Sequence, residues 1–248
     1  MKKTYITPGG QYYTLYSDML QQTHILIAGA TGSGKSVIIN GLIHTALLGS
    51  PARYEFIMID LKRVELSEYR HLPHTRVYAD SITTAVNALN YALQIIEKRY
   101  ADMQRIGVKK YLGSCVYVVI DELADLMTVN KKQVLPLIQR IAQIGRAANV
   151  KIIAATQCPL VTVIPTAVKV NFDTIIGLHT RSAQDSRNII GQAGCERLPR
   201  YGQGYYLTPA GLQLYNIPMY TDAEHTRILQ HWTCREAGLP SFLRKFLK

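Results

Sequence analysis

Short apolar runs that end in polar clusters alternate along this chain with stretches whose apolar residues recur at helical spacing. The first run, residues 25–29, reads as a buried strand. After it, Val37, Ile38, Leu42, Ile43, Ala46 and Leu47 fall on one helical face, and Gly49-Ser50-Pro51 stops that helix. Residues 54–60 read as a second strand, apolar enough at its end to be buried on both faces. Asp80-Ser81 is placed to cap a long helix that carries Ile82, Ala85, Val86, Leu89, Leu93 and Ile96 towards Gly107, with Glu97-Lys98-Arg99 on its solvated face. A third strand follows over 115–120, a helix from about 131 to 148, a fourth strand over 151–156 and a fifth over 174–178. Residues 204–217 form a hairpin-like pair, and 222–236 a last helix. Residues 1–22, with Pro8-Gly9-Gly10 and a tyrosine-rich stretch, suit a short arm or hairpin.

Strands alternating with helices, each strand ending where polar residues cluster, predict an α/β fold: a mainly parallel central sheet flanked by helices, with its site at the carboxyl ends of the strands. A length of 248 residues with 48% hydrophobic content supplies one substantial core. That core is expected over residues 23–220, ahead of a C-terminal helix and basic tail over 221–248. No internal repeat or low-complexity segment interrupts it. No apolar run approaches the ~18 residues needed to cross a bilayer, and the first residues lack a signal-peptide core, so a cytoplasmic protein without a membrane span is expected.

Charge changes the picture more than composition does. The formal net charge is +11, from 28 Lys and Arg against 17 Asp and Glu, and so basic a surface usually meets a polyanion, most commonly nucleic acid. A merely basic enzyme is the alternative. Cys115, Cys158, Cys195 and Cys234 lie too far apart for a metal-binding pattern and read as reduced thiols.

The first strand runs into the most informative stretch. Gly29, Ala30, Thr31, Gly32, Ser33, Gly34, Lys35 and Ser36 complete the spacing G-x-x-x-x-G-K-S of a phosphate-binding loop. Glycines let the backbone curl so that its N–H groups surround an anion, while the following helix points its positive end at the same place. Lys35 is expected to reach the β- and γ-phosphates of ATP, and the Ser36 hydroxyl to hold Mg²⁺. A glycine-rich turn that binds nothing would not account for Lys-Ser directly after the last glycine. The third strand then ends in Asp121-Glu122. Asp121 is expected to orient the Mg²⁺ shell and Glu122 to polarise the attacking water, although two acids after a strand also start a helix well. Gln157, at the end of the fourth strand, is placed either to sense the γ-phosphate or simply to end the strand.

Several segments together resemble the motor domain of FtsK/SpoIIIE-type DNA translocases, in the HerA/FtsK group of P-loop ATPases. They are the phosphate loop at 24–36, Ile-Asp-Leu-Lys-Arg-Val-Glu-Leu at 59–66, Val-Ile-Asp-Glu-Leu-Ala-Asp-Leu-Met at 119–127 and Ile-Gly-Arg-Ala-Ala-Asn-Val at 144–150. Ala-Ala-Thr-Gln-Cys-Pro at 154–159 and Asp-Ser-Arg-Asn-Ile-Ile at 185–190 complete the set. The resemblance implies a RecA-like motor over 23–220 that hydrolyses ATP, assembles as a homo-hexamer and moves along double-stranded DNA. The larger members' membrane domain and winged helix are not expected within these 248 residues. Small stand-alone relatives are typical of mobile elements, which implies transfer, replication or packaging, with a relaxase or replication protein as a possible partner.

The chain departs from the family's pattern at three points. Cys158 follows Gln157 where an arginine is usual, Ile175 stands where the family has an arginine, and Gly202-Gln203-Gly204-Tyr205 replaces Gly-Asp-Met-Leu. With Ile175 unable to reach a neighbour's nucleotide, Arg146 at the end of a helix and Arg187 at the opening of another become the candidates to act in trans, with Arg181 behind them. A nucleotide-gated DNA-binding adaptor with slow turnover is the second reading. A small-molecule kinase is the third reading, and it is disfavoured because the sequence offers no candidate arginine-rich lid and the Asp-Glu pair points to water activation rather than to an acceptor alcohol.

Overall fold

The computed structural model describes residues 12–157 and 165–237. After a helix α1 (Tyr12–Gln21), the chain alternates β1 (Ile25–Ala28), α2 (Lys35–Leu47), β2 (Tyr54–Ile59), β3 (Thr75–Ala79), α3 (Ile82–Ile106), β4 (Cys115–Ile120), α4 (Leu123–Ile144) and β5 (Val150–Thr156). It continues with the single turn α5 (Thr166–Lys169), then β6 (Thr174–Gly177), α6 (Ala183–Ile190), β7 (Gln203–Thr208), β8 (Gly211–Asn216) and α7 (Asp222–Ala237).

All eight strands lie in one sheet, in the order β3-β2-β4-β5-β1-β6-β7-β8. The pairs from β3 to β6 are parallel, and β7 and β8 add as an antiparallel edge. β1 sits between β5 and β6, with Ile25 opposite Ile153 on one side and Thr174 on the other. Its residues alternate between the two faces, as the pleat requires. Leu26 and Ala28 join the core shared with α3 and α4, while Ile25 and Ile27 join the core shared with α1, α2 and α7. Covered on both faces, β1 ends in the middle of the sheet's carboxyl edge, which fixes where the phosphate loop emerges.

Three elements differ from the sequence expectation. Residues 12–21 form a helix, not a hairpin. Tyr16, Met19 and Leu20, at helical spacing, are buried, and the carbonyl of Leu20 accepts hydrogen bonds from the Tyr117 hydroxyl at 3.0 Å and Lys151 Nζ at 2.7 Å. Those donors come from β4 and β5, far along the sequence, and satisfy the carbonyl end of the helix. β3 has no apolar run to announce it, because an edge strand is covered less fully than the strands inside the sheet. α4 begins eight residues earlier than expected. Asn130, with φ −149° and ψ 56°, breaks the helical geometry, so two helical segments meet there and periodicity registers only the second. The helix α3 matches its expected capping signals, since the Ser81 hydroxyl accepts from Thr84 N–H, the Thr84 hydroxyl accepts from Ser81 N–H, and Gly107 closes the helix at φ 72°. Arg99, expected on its solvated face, is instead buried, its guanidinium donating to the carbonyls of Ala148 at 2.8 Å and Asn149 at 3.1 Å.

Two buried histidines make acid a stress on this fold. His24 Nδ1 accepts the Ile152 N–H at 3.0 Å, and burial lowers its pKa to about 4; burial, with His225 beside it, lowers that of His44 to about 3. In the unfolded chain these rings take up a proton near pH 6.5, so their neutral burial stabilises the fold above that pH and is lost as pH falls through it. A His24→Asn variant keeps an acceptor for Ile152 without a titrating ring. Between pH 7 and 5, wild type should lose about 2 kcal/mol more unfolding free energy than this variant, measured by urea denaturation. Equal losses would show that His24 is not held neutral.

Candidate nucleotide site

The loop between β1 and α2 is built from its glycines. Gly32 (φ 72°) and Gly34 (φ 97°) adopt left-handed backbone, and Gly34 is the N-cap from which α2 starts. Gly29 is required by packing instead, since a Cβ there would lie 2.7 Å from both Leu178 Cβ and Ser33 Oγ. The Ala30 N–H donates to the His179 carbonyl at 2.8 Å, which ties the loop to the segment after β6. Lys35 is buried, and its Nζ donates to the carbonyls of Gly29 and Ala30, at 2.9 Å each. Burial lowers its pKa, against the opposing pull of Glu122 and Asp121. Its ammonium thus rests on neutral carbonyls inside the curl of the loop, without a carboxylate bonded to it, ready to meet an anion.

Strand order brings the other expected residues here. β4, β5 and β1 are neighbours, so Asp121, Gln157 and the loop share one edge. The Gln157 Oε1 accepts from the Thr31 hydroxyl at 2.6 Å, joining the end of β5 to the loop. The buried Glu122 carboxylate accepts N–H groups from Gln157 at 3.1 and 3.2 Å and from Ala124 at 3.1 Å. Glu122 is therefore also the N-cap of α4, so the helix-start and site readings of this acid describe one position. Burial raises its pKa.

Asp121 is only partly buried, and its pKa is raised to about 7, first by burial and then by the charges of Asp60, Glu65 and Glu122, with Lys62 opposing. Asp60 shapes the loop after β2, accepting the N–H groups of Arg63 at 2.8 Å and Leu66 at 3.0 Å and the Tyr78 hydroxyl at 3.3 Å. Lys62 on that loop pairs with Asp125 at 3.2 Å. The acids around Asp121 suit a divalent cation, and Ser36 offers a hydroxyl in the first turn of α2. Among the described residues no group of three or more His, Cys, Asp or Glu side chains could hold a metal by themselves, so Mg²⁺ here would need phosphate oxygens to complete its shell.

Residues 8–114 match the model of the FtsK/SpoIIIE family. The "DNA translocase FtsK" of Brucella melitensis biotype 1 is 36% identical across 92% of this chain. The chain belongs to the FtsK/SpoIIIE family. It spans about a third of the length of that relative, 33%. Among solved structures, the pCW3 conjugation coupling protein TcpA with ATPγS superposes with a TM-score of 0.75 at 23% identity, over 86% of this chain and 66% of that one. The type VII secretion ATPase EccC of Thermomonospora curvata gives 0.71 at 22% identity, over 81% and 26%. At these identities the likeness is one of fold, a RecA-like P-loop ATPase architecture.

Against the family pattern, Ile175 proves to be a core residue. It is 6% exposed and lies between Leu26 of β1 and Leu207 of β7. Gly204 packs closely on the other face of the sheet, where a Cβ would come within 2.9 Å of Leu178 Cδ2. Cys158 lies outside the described residues. Arg146 is exposed just past the end of α4, at the amino end of β5 and thus at the sheet edge opposite the loop. Arg187 does not open a helix: Ser182 caps α6, and Arg187 lies exposed in its last turn. Asp185 hydrogen-bonds the Ser182 hydroxyl at 2.9 Å and forms no ion pair with an arginine among the described residues. Arg181 is exposed on the loop leaving β6, on the side of its own phosphate loop. Sequence reasoning missed His179 and Arg200 beside that loop, because neither belongs to a motif of fixed spacing. Among the described residues no helix is long and apolar enough to cross a membrane.

Proposed function

We propose that this chain is the motor domain of an ATP-dependent translocase of double-stranded DNA. The observation that carries the reading is the convergence of Lys35, Asp121, Glu122 and Gln157 on the carboxyl ends of three adjacent strands, β4, β5 and β1. In this reading the loop N–H groups from Ala30 to Ser36 cradle the phosphates, and Lys35 exchanges its two carbonyl partners for β- and γ-phosphate oxygens. Ser36 and Asp121 hold Mg²⁺, which neutralises charge on the phosphates when bound. Glu122 takes a proton from the attacking water, its raised pKa bringing it closer to working pH, and Gln157 registers the γ-phosphate through Thr31.

The name of the Brucella relative supports DNA as the track, and the +11 charge supports a polyanion in general. The likeness to a conjugation coupling protein favours a mobile-element setting, with a relaxase or replication protein as partner. A homo-hexamer in the cytoplasm would bring one protomer's Arg146 or Arg187 to the next protomer's nucleotide. The core position of Ile175 favours a second reading, an adaptor that couples ATP binding to DNA binding and turns over slowly.

Binding to a duplex oligonucleotide tests the DNA assignment. Affinity should fall with salt by about 0.9 log units per log unit for each phosphate neutralised, with several contacts per protomer and little preference among unrelated sequences. A flat salt response, or strong preference for one sequence, would contradict a translocase.

A further inference from the structure

Above the tip of the phosphate loop lies a cation outside the loop's own motif. A Cβ built on Gly32 would meet Arg200 Nη2 at 3.2 Å, Nε at 3.6 Å and Cζ at 3.8 Å, so the guanidinium lies against the glycine that forms the tip. A side chain at this position would push the guanidinium back by a few tenths of an ångström, and the φ of 72° at Gly32 asks for glycine independently. Arg200 is exposed and forms no ion pair among the described residues.

Its position is built. His179 grips both partners: its carbonyl accepts the Ala30 N–H at 2.8 Å, and its Nδ1–H donates to the Leu198 carbonyl at 2.8 Å. Pro199 then holds Leu198 in extended backbone (φ −64°, ψ 149°), and Gly202 (φ 86°) turns the chain into β7. The segment carrying Arg200 is thus bonded, through one residue, to the loop that Arg200 covers.

We infer that Arg200 is a ligand, within the same protomer, for the terminal phosphate of a bound nucleoside triphosphate, with His179 as its positioning residue. This rests on the nucleotide-site reading above. Lys35 and Arg200 divide the work by geometry. The buried ammonium supplies a charge from within the loop, and the exposed guanidinium offers a planar fork from its outer tip. A fork of that kind makes two parallel hydrogen bonds to a phosphate group, which a lysine cannot imitate. ADP lacks the group that the fork would grip, so Arg200 separates triphosphate from diphosphate.

Calorimetric titration of ATPγS and of ADP, each with Mg²⁺, into wild type, Arg200→Ala, Arg200→Lys and His179→Ala tests this. Arg200→Ala should weaken ATPγS about ten- to hundredfold while changing ADP less than about threefold, with Arg200→Lys between it and wild type. His179→Ala should shift the ATPγS-to-ADP ratio in the same direction by a smaller factor. The unliganded Arg200→Ala protein should melt with wild type, since the side chain is exposed. Equal weakening of both nucleotides, or no weakening, would overturn the assignment while leaving the nucleotide site standing. Failure of wild type to bind either nucleotide would overturn the site and Arg200's role together.

Discussion

Glu122→Gln is expected to bind ATP as wild type does and to hydrolyse it about 10²- to 10⁴-fold more slowly, the share that a positioned general base supplies. The substitution isolates the chemistry because the structure tolerates it. Glu122 Oε1 accepts from both Ala124 and Gln157 N–H, so a glutamine oxygen in that place keeps one bond to each donor, and only the second contact of Gln157 N–H, to Oε2 at 3.1 Å, is given up. What is lost is the capacity to take a proton. Measured by single-turnover hydrolysis alongside equilibrium binding, near-normal turnover would remove Glu122 from the chemistry and leave it as the cap of α4.

Lys35→Ala should do the reverse: nucleotide affinity falls and hydrolysis drops to background. The ammonium is the one buried side-chain cation in contact with the loop among the described residues, bonded to Gly29 and Ala30 carbonyls and shielded from water. Charge-assisted bonds to phosphate are worth about 1.5–3 kcal/mol each, so losing the group costs about ten- to hundredfold or more in binding alone. The helix should survive, since Ile38, Ile39, Leu42 and Ile43 anchor α2 in the core. Tight ATP binding by a folded Lys35→Ala protein would contradict the assignment.

The parts of this molecule that the sequence announces are those governed by local rules. Apolar runs mark the strands that lie inside the sheet, and the G-x-x-x-x-G-K-S spacing marks the loop, because both follow from backbone conformation and burial within a few residues. What stayed hidden depends on contacts distant in sequence. α1 is a helix because Tyr117 and Lys151 meet its final turn, β3 is an edge strand with no apolar run, and the break at Asn130 hides where α4 begins. The same holds in the site. Asp121, Glu122 and Gln157 were legible from strand ends, whereas His179 and Arg200 reach the loop only through the pairing of β6 beside β1 and the turn into β7. Ile175 was legible as a departure from the family, whereas its place in the core, between Leu26 and Leu207, follows from the pairing of β6 with β1 and β7.

Steady-state ATP hydrolysis with and without linear duplex DNA, over a range of protein concentrations and with Lys35→Ala as the silent control, tests the central claim most directly. A motor assembled from several copies should show turnover that DNA stimulates and that rises more steeply than protein concentration, as sites completed by a neighbour form. Turnover that ignores DNA and stays proportional to protein concentration would contradict the translocase account.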